Sequence, residues 1–464
     1  MDTIPCDTDL LRRYDVPGPR YTSYPTAPHF HGGFGEREFR EAAAASNGDP
    51  IPRRLSLYVH VPFCESPCFY CGCNRIITRD KARGEAYLAR LFREIDLVAQ
   101  CFDRDREVIQ LHFGGGTPNF LSPAQLREIV DTIGRHFHLA GAAERDLSIE
   151  LDPRCVTPED IRQLAEAGFN RASLGVQDFD HEVQVAVNRV QGVEQTWAVV
   201  DACRKHGFRS VNIDLIYGLP KQTVAGFDRT LDTVAAMRPD RVAIYGYAHL
   251  PTLFKAQRQI HAADLPDAEH RLVLLQHAIA RLTREGYVYI GMDHFALPDD
   301  DLALAQARGG LHRNFMGYTT HADSDLVGVG VSAISHIGPS FSQNARDLPT
   351  WEAMLDAGRL PVFRGMRLTG DDQLRADLIQ VLMCQGEVPI DALERRHDIV
   401  FDAYFTEAMA RLAPLADDGL VRIEPRRIVV TPRGRLLLRN IAMCFDRYLD
   451  LPGEVVTPRF SRAI

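Results

Sequence analysis

The sequence predicts an α/β protein: a complete or partial (β/α) barrel, preceded by an N-terminal arm and followed by a mainly helical, winged-helix-like C-terminal domain. Three observations carry this prediction. Between Leu55 and Leu250, six short β-branched runs alternate with helical stretches, the pattern of parallel strands joined by helical crossovers. Cysteines and polar residues gather where those runs end, and the C-terminal strand ends are where such barrels carry their chemistry. Beyond about residue 360 the alternation gives way to helical periodicity.

Residues 1–50 contain Pro, Gly and Tyr, including GPRYTSYPT from Gly18 to Thr26, and show no sustained period. They are expected to be extended polypeptide laid over the body and covering the active site. Residues 51–360 form the barrel domain. The strand runs are LSLYVHVPF, VIQLHFGGG, LSIELDP, RASLGVQ, SVNIDLIYG and RVAIYGYAHL, read as near-continuous apolar strands. Between them lie helical stretches such as AYLARLFREIDLVAQ and SPAQLREIVDTIGRHF. A doubly wound open sheet would also place a site at strand ends, but the first βα loop carries cysteines and no GxGxxG. Residues 361–464 supply two helical stretches, the strand pair LVRIEPRRIVVTP and a last helix, GRLLLRNIAMCFDRYL. Winged helices often bind DNA; the acidic balance favours a helical cap packed on the barrel.

The 464 residues are 45% hydrophobic, 25% charged and 8% aromatic, an ordinary globular composition. A net charge of −9 argues against general binding to nucleic acid or anionic membranes. No apolar run is long enough to span a bilayer, and MDTIPCDTDLLRRYD lacks a signal-peptide core. A cytoplasmic protein is expected, with a monomer as the default state. In that compartment ten cysteines do not imply a disulfide framework. Six are scattered, whereas Cys64, Cys68, Cys71 and Cys73 fall within ten residues.

Cys64-x3-Cys68-x2-Cys71 is the chemical centre of the sequence. A tetrahedral zinc site generally draws ligands from two separated turns, and no second CxxC or HxxxH lies nearby. Three thiolates on one tight loop suit a cubane iron–sulfur cluster with the fourth iron left open to a small chelating molecule. Cys73 is either a fourth ligand, which would close that iron, or a neighbour that does not ligate; the cramped CxC spacing favours the neighbour.

CxxxCxxC after the first strand and GGGTP after the second resemble the radical S-adenosylmethionine (SAM) superfamily. GPRYTSYPT, YVHVPFC, CGCN, GVQDF, NIDLIYGLP, YAHLP, GMDHFA, HRNF and GVSAIS narrow the resemblance to its oxygen-independent coproporphyrinogen III oxidase family (coproporphyrinogen dehydrogenases), over essentially the whole chain. The resemblance implies a barrel of radical SAM type, a 4Fe-4S cluster and two SAM molecules. It implies anaerobic oxidative decarboxylation of two propionates of coproporphyrinogen III to vinyl groups, giving protoporphyrinogen IX in haem biosynthesis. A 5′-deoxyadenosyl radical formed from SAM is the implied oxidant, and the protein binds, orients and excludes water or oxygen. An electron donor and a final electron acceptor are implied partners that the sequence does not identify.

By the same resemblance, Cys64, Cys68 and Cys71 ligate the cluster, and no catalytic residue is implied beyond cluster and SAM. Tyr58, Gly115, Gly116, Thr117, Glu150, Ala248 and Ile334 are implied contacts of the first SAM, the Gly114–Thr117 loop letting backbone approach closely. Tyr70, Gly116, Thr117, Gln177, Arg189 and Asp214 are implied at the second. Ordinary structural roles compete at each: a tight turn for the glycines, a cap for Glu150, core packing for Tyr58, and a helix-surface cation for Arg189. A substrate with four carboxylates needs local cations; Arg20 and Arg313 are the candidates, followed by Arg12, Arg13 and Arg75. One departure is HRNFMGYTT, where Met316 replaces the family's usual glutamine and cannot donate a hydrogen bond. Alternatives are a haem-binding or haem-trafficking relative, a haem-degrading radical methyltransferase, and a DNA-binding regulator. The arm and Cys73 argue against the first two, and the net charge against the third.

Overall fold

A computed structural model describes residues 8–449. Seven parallel strands form its centre: β1 (Arg54–Val61), β2 (Glu107–Gly115), β3 (Asp146–Leu151), β4 (Arg171–Gln177), β5 (Ser210–Tyr217), β6 (Arg241–Gly246) and β7 (Ser324–Val329). They lie in the order β7-β1-β2-β3-β4-β5-β6. Antiparallel strands flank both sides, His294–Ala296 and Val288–Gly291 beyond β6, and Ile334–Ile337, Ser340–Asn344 and Val362–Arg367 beyond β7. The linear order makes this a partial barrel.

Of the connecting helices α3 (Ala82–Ala99), α4 (Pro123–His136), α5 (Pro158–Glu166), α7 (Val193–Lys205) and α8 (Val224–Met237), three, α4, α5 and α8, start at a side-chain cap. Ser122 and Thr157 close capping boxes on α4 and α5 with proline in the first turn. Between α5 and α7 lies the short helix α6 (His181–Ala186). One strand face is apolar: Leu57, Leu111, Ile149, Leu174 and Ile213 are essentially inaccessible and pack in a single core with Leu91, Ile129 and Val199 of the helices.

The other face is not apolar. Inward positions in direct register read Tyr58, His112 and Ser148 across β1 to β3, and Glu150, Ser173, Asn212 and Arg241 across β3 to β6. The strands are therefore alternating rather than near-continuously apolar, because the barrel encloses a polar chamber of about 170 Å³ instead of packed aliphatic layers.

The N-terminal segment is not simply extended. It holds α1 (Thr8–Tyr14) and α2 (Glu36–Asn47). Phe39 and Ala43 of α2 join the barrel core, whereas Leu10, Leu11, Tyr21 and Tyr24 join the core of the C-terminal helices. The strand Val362–Arg367 extends the barrel sheet, so the C-terminal region begins just after it rather than at residue 361. That region is mainly helical around a three-stranded antiparallel sheet of Glu387–Pro389, Arg427–Val430 and Val421–Glu424. No helix among the described residues is long and apolar enough to cross a membrane.

Candidate active site

A cavity of about 480 Å³ opens at the C-terminal ends of β1 to β6. Cys64, Cys68, Cys71 and Cys73 line one side of it. Their loop is held by its own backbone: Ile76 N–H donates to Pro62 O at 2.7 Å and Thr78 N–H to Cys64 O at 2.9 Å. Arg75 clamps the turn, donating to the carbonyls of Cys71 at 3.0 Å and Cys68 at 3.1 Å. Asn188 secures the far side through Pro67 O at 2.7 Å. Cys64 Sγ lies 3.3 Å from Thr117 Oγ1, and Cys73 N–H donates to Cys71 Sγ at 3.4 Å. Cys73 is exposed and lines the cavity.

The donor set fits a polynuclear cluster better than a single ion. A tetrahedral zinc with Zn–S of about 2.3 Å requires sulfurs about 3.8 Å apart. Among the described residues no three His, Cys, Asp or Glu side chains converge as a single-ion site. Three thiols facing one cavity without that convergence match the wider reach of an iron–sulfur cubane.

Beside the cysteines runs the Gly114–Gly116 turn. Gly115 has φ +119°, and a Cβ there would meet the His60 ring at 2.7 Å; a Cβ on Gly116 would lie 2.7 Å from Pro62 O. The glycines are thus required by close packing on β1 and the cysteine loop, and they leave bare backbone facing the cavity. Glu150, at the end of β3, accepts from Gly115 N–H at 3.2 Å and from the His112 side at 3.4 Å. His112 stacks on Tyr58, with ring centroids 5.8 Å apart.

The far wall comes from β4, β5 and α6. Arg189, just after α6, is buried rather than on a helix surface. Its guanidinium donates to Gly175 O, lies 3.2 Å from Asp152 Oδ2 and reaches Cys68 Sγ at 3.4 Å. Arg154 also pairs with Asp152, at 2.7 Å. Gln177 ends β4 with φ +72°, a conformation few non-glycine residues adopt. Asp214 accepts from Ser173 at 2.9 Å and Asn212 at 2.8 Å, and burial nevertheless pushes its carboxyl up to about 6.

The cavity therefore gathers Cys64, Cys68, Cys71, Tyr70, Gly115, Gly116, Thr117, Glu150, Gln177, Arg189 and Asp214. Tyr58, Ala248 and Ile334 are not in its lining. Tyr58 sits beneath it against His112, and Ala248 is tied to Tyr70 through Gln257, whose amide donates to both carbonyls. Ile334 packs with Phe30 and Phe341. Arg12 and Arg13 form surface ion pairs with Glu269 and Asp418. Arg20 and Arg313 lie together, Arg313 donating to Arg20 O. Met316 borders the polar chamber beneath the cavity, its N–H held by Asn314 Oδ1 at 2.9 Å. Sequence reasoning missed Asp152, which orients Arg189, and Tyr245, which lines both spaces. The strand-end position of each was their only signal.

A radical SAM superfamily model matches residues 58–234, and a HemN C-terminal domain model matches residues 368–437. The chain is 51% identical over 464 residues to the oxygen-independent coproporphyrinogen III oxidase of Pseudomonas aeruginosa, covering all of both proteins. It is 48% identical to the Escherichia coli protein of the same name, again over the full length of both. The solved structure of coproporphyrinogen III oxidase (HemN) from Escherichia coli, described as a radical SAM enzyme, superimposes with a TM-score of 0.91 at 47% identity, covering 96% of this chain and 100% of that one.

Proposed function

Because the chain belongs to the oxygen-independent coproporphyrinogen III oxidase family of radical SAM enzymes, we propose that it converts two propionates of coproporphyrinogen III to vinyl groups, giving protoporphyrinogen IX for haem biosynthesis. Each reacting propionate loses its carboxyl as carbon dioxide, with one β-hydrogen and one electron. The observation that carries this reading is that three cysteines of one loop and polar residues from five further strand ends face a single cavity.

Cys64, Cys68 and Cys71 would hold a 4Fe-4S cluster, which when bound supplies the electron for reductive cleavage of SAM. Arg75 fixes the loop so that the three thiols keep their mutual placement. Glu150, fixed by Gly115 N–H, offers a carboxylate to the cationic first SAM, and the Gly114–Thr117 backbone offers close approach. Tyr58 and Ala248 support this side indirectly, and Ile334 lies in the wall behind.

Tyr70, Gln177, Arg189 and Asp214 form a second polar group across the cavity, and we assign them to a second SAM. Arg189 would attract its carboxylate while Asp152 keeps the guanidinium in place. The N-terminal segment closes over the far rim, where Arg20 lies 5.6 Å from the centre of the Tyr245 ring. We assign a cytoplasmic monomer that takes its electron from, and passes the substrate electron to, separate partners. The nine described cysteines, all free thiols, fit a reducing compartment.

The test is strictly anaerobic turnover of the cluster-loaded protein with SAM, reductant, an electron acceptor and coproporphyrinogen III, read by mass spectrometry. Protoporphyrinogen IX together with 5′-deoxyadenosine is expected. Porphyrinogen binding without SAM cleavage would overturn the enzymatic reading in favour of a haem-handling relative.

A further inference from the structure

The second concentration of charge in the fold lies away from the cysteines, at the ends of β5 and β6. Tyr217 ends β5 and pairs in register with Gly246 at the end of β6. Three guanidinium groups, Arg20, Arg271 and Arg439, and one carboxylate, Asp293, all act electrostatically on the Tyr217 phenol. They come from four parts of the chain: the N-terminal segment, helix α9 (Ala268–Arg284), the C-terminal region and the turn before His294–Ala296.

The geometry is built rather than incidental. Arg20 Nη2 pairs with Asp293 at 3.1 Å while its guanidinium faces the Tyr245 ring. Gly218 leaves room for Arg271, since a Cβ there would lie 3.2 Å from Arg271 Nε. Arg439, buried, donates to Pro19 O at 3.1 Å and to Gly18 O, gripping the backbone next to Arg20. Burial, and then the charge of Arg20, push the Arg439 guanidinium down to about 10, while Asp293 raises that of Arg20. Arg313 is also buried, donates to Arg20 O, and keeps an Nε with no hydrogen-bond partner.

A carboxylate is drawn to guanidinium groups through charge-assisted, often bidentate hydrogen bonds, and here such groups are concentrated in a chain whose net charge is −9. The group adjoins the active-site cavity through Tyr245 and lies at the same C-terminal end of the parallel strands as the β1 cysteines, but several strands away across the sheet, on the far side of the cavity. Arg20 keeps 35% of its side-chain surface accessible.

We propose that Arg20, Arg271 and Arg439, gathered around Asp293 and Tyr217, form the subsite for a propionate carboxylate that is retained through both decarboxylations, with Arg313 positioning Arg20. This rests on the proposed function. Of four propionates two react, so two carboxylates persist in substrate, half-processed intermediate and product. A reacting chain must reach the cysteine end of the cavity. A subsite at the other end holds a retained chain, so the macrocycle is gripped alike in both rounds.

The test is fluorescence titration of the anaerobic holoenzyme with coproporphyrin III, protoporphyrin IX and coproporphyrin III tetramethyl ester. The wild type is expected to bind both acids well above the ester. Arg20→Gln and Arg271→Gln are each expected to weaken both acids by about tenfold, the scale of a lost charge-assisted contact, and to leave ester binding unchanged. Arg20→Lys recovers part of the loss, and thermal unfolding midpoints verify that each variant is folded. Acid binding unaffected by either variant would overturn the subsite. Loss confined to coproporphyrin would assign it to a reacting chain and overturn the retained-carboxylate role. A wild type that does not distinguish acid from ester would count against the porphyrinogen reading itself.

Discussion

Arg189 donates to Cys68 Sγ at 3.4 Å, joining the wall assigned to SAM to the loop assigned to the cluster. The same guanidinium pairs with buried Asp152, so it serves structure and site at once. Replacing it removes one partner of a buried carboxylate that keeps Arg154 as its other. Arg189→Met is expected to lower stability by about 2 kcal/mol, within the range for an under-satisfied buried polar group. The double variant Asp152→Asn/Arg189→Met should lose less than the two single losses added together. Anaerobic urea unfolding of the four proteins measures this coupling, and strictly additive losses would show that the pair does not interact.

Gly115→Ala is expected to cost at least about 2 kcal/mol, because strain at a positive φ adds to steric overlap. The added Cβ would lie 2.7 Å from the His60 ring and 2.9 Å from Val61 O at φ +119°. Gly141→Ala, where nothing lies within 4 Å, is the control and should be near neutral. Thermal unfolding of the two variants distinguishes them; equal midpoints would mean that the turn relaxes and that the glycine is required by the ligand alone.

The six central strands were legible because each β-branched run is about one strand long and bounded by a turn signal. VIQLHFGGG, for example, corresponds to Glu107–Gly115. Helix α2 was missed, although EREFREAAAASN places Phe39 and Ala43 at helical spacing and Glu36 opposite Arg40. The Gly- and Pro-rich residues before it made the whole segment look irregular. The polar inward face was hidden because a linear reading of SVNIDLIYG weighs its apolar majority above the alternate Asn212 and Asp214. Relationships across the chain, such as Arg20 with Asp293 or Arg189 with Asp152, have no local signature. Residue motifs located the cavity, but only the fold shows that Tyr58 and Ile334 lie behind its lining while Arg189 is inside it.

Glu94 gives a pH dependence of stability. It accepts from Gly330 N–H and Trp351 Nε1–H, both at 2.9 Å, and from the Asn344 amide, yet full burial outweighs these bonds and pushes its carboxyl up to about 7 from 4.5. A raised folded value means that the native state holds this proton where the unfolded chain has released it. The contribution is present below pH 4.5 and is lost as pH rises to about 7, on the order of 3 kcal/mol. Urea unfolding between pH 5 and 7 should show stability falling with pH. The slope should be shallower in Glu94→Gln, although that variant is less stable at pH 5 because its amide NH2 faces a donor. An unchanged slope would assign the effect elsewhere, Asp214 being the next buried carboxyl with a raised value.

Cys73 shares the cavity with Cys71 and meets it twice, through its N–H, which donates to Cys71 Sγ at 3.4 Å, and through a hydrogen bond between the two side chains. The backbone bond stabilises charge on the Cys71 sulfur and does not depend on the Cys73 side chain, whereas the bond between the side chains does. If Cys73 is a bystander, Cys73→Ser keeps the iron content of the wild type and cleaves SAM within about fivefold, the effect of altering one hydrogen bond worth about 1 kcal/mol. Cys71→Ser, by contrast, should lose iron and SAM cleavage together. A fourth thiolate would fill the iron position that a chelating SAM needs, so a ligating Cys73 and SAM would compete for it. Iron analysis of both variants, with SAM-induced changes in the cluster's EPR spectrum, separates the alternatives: iron loss in Cys73→Ser equal to that in Cys71→Ser makes Cys73 a ligand.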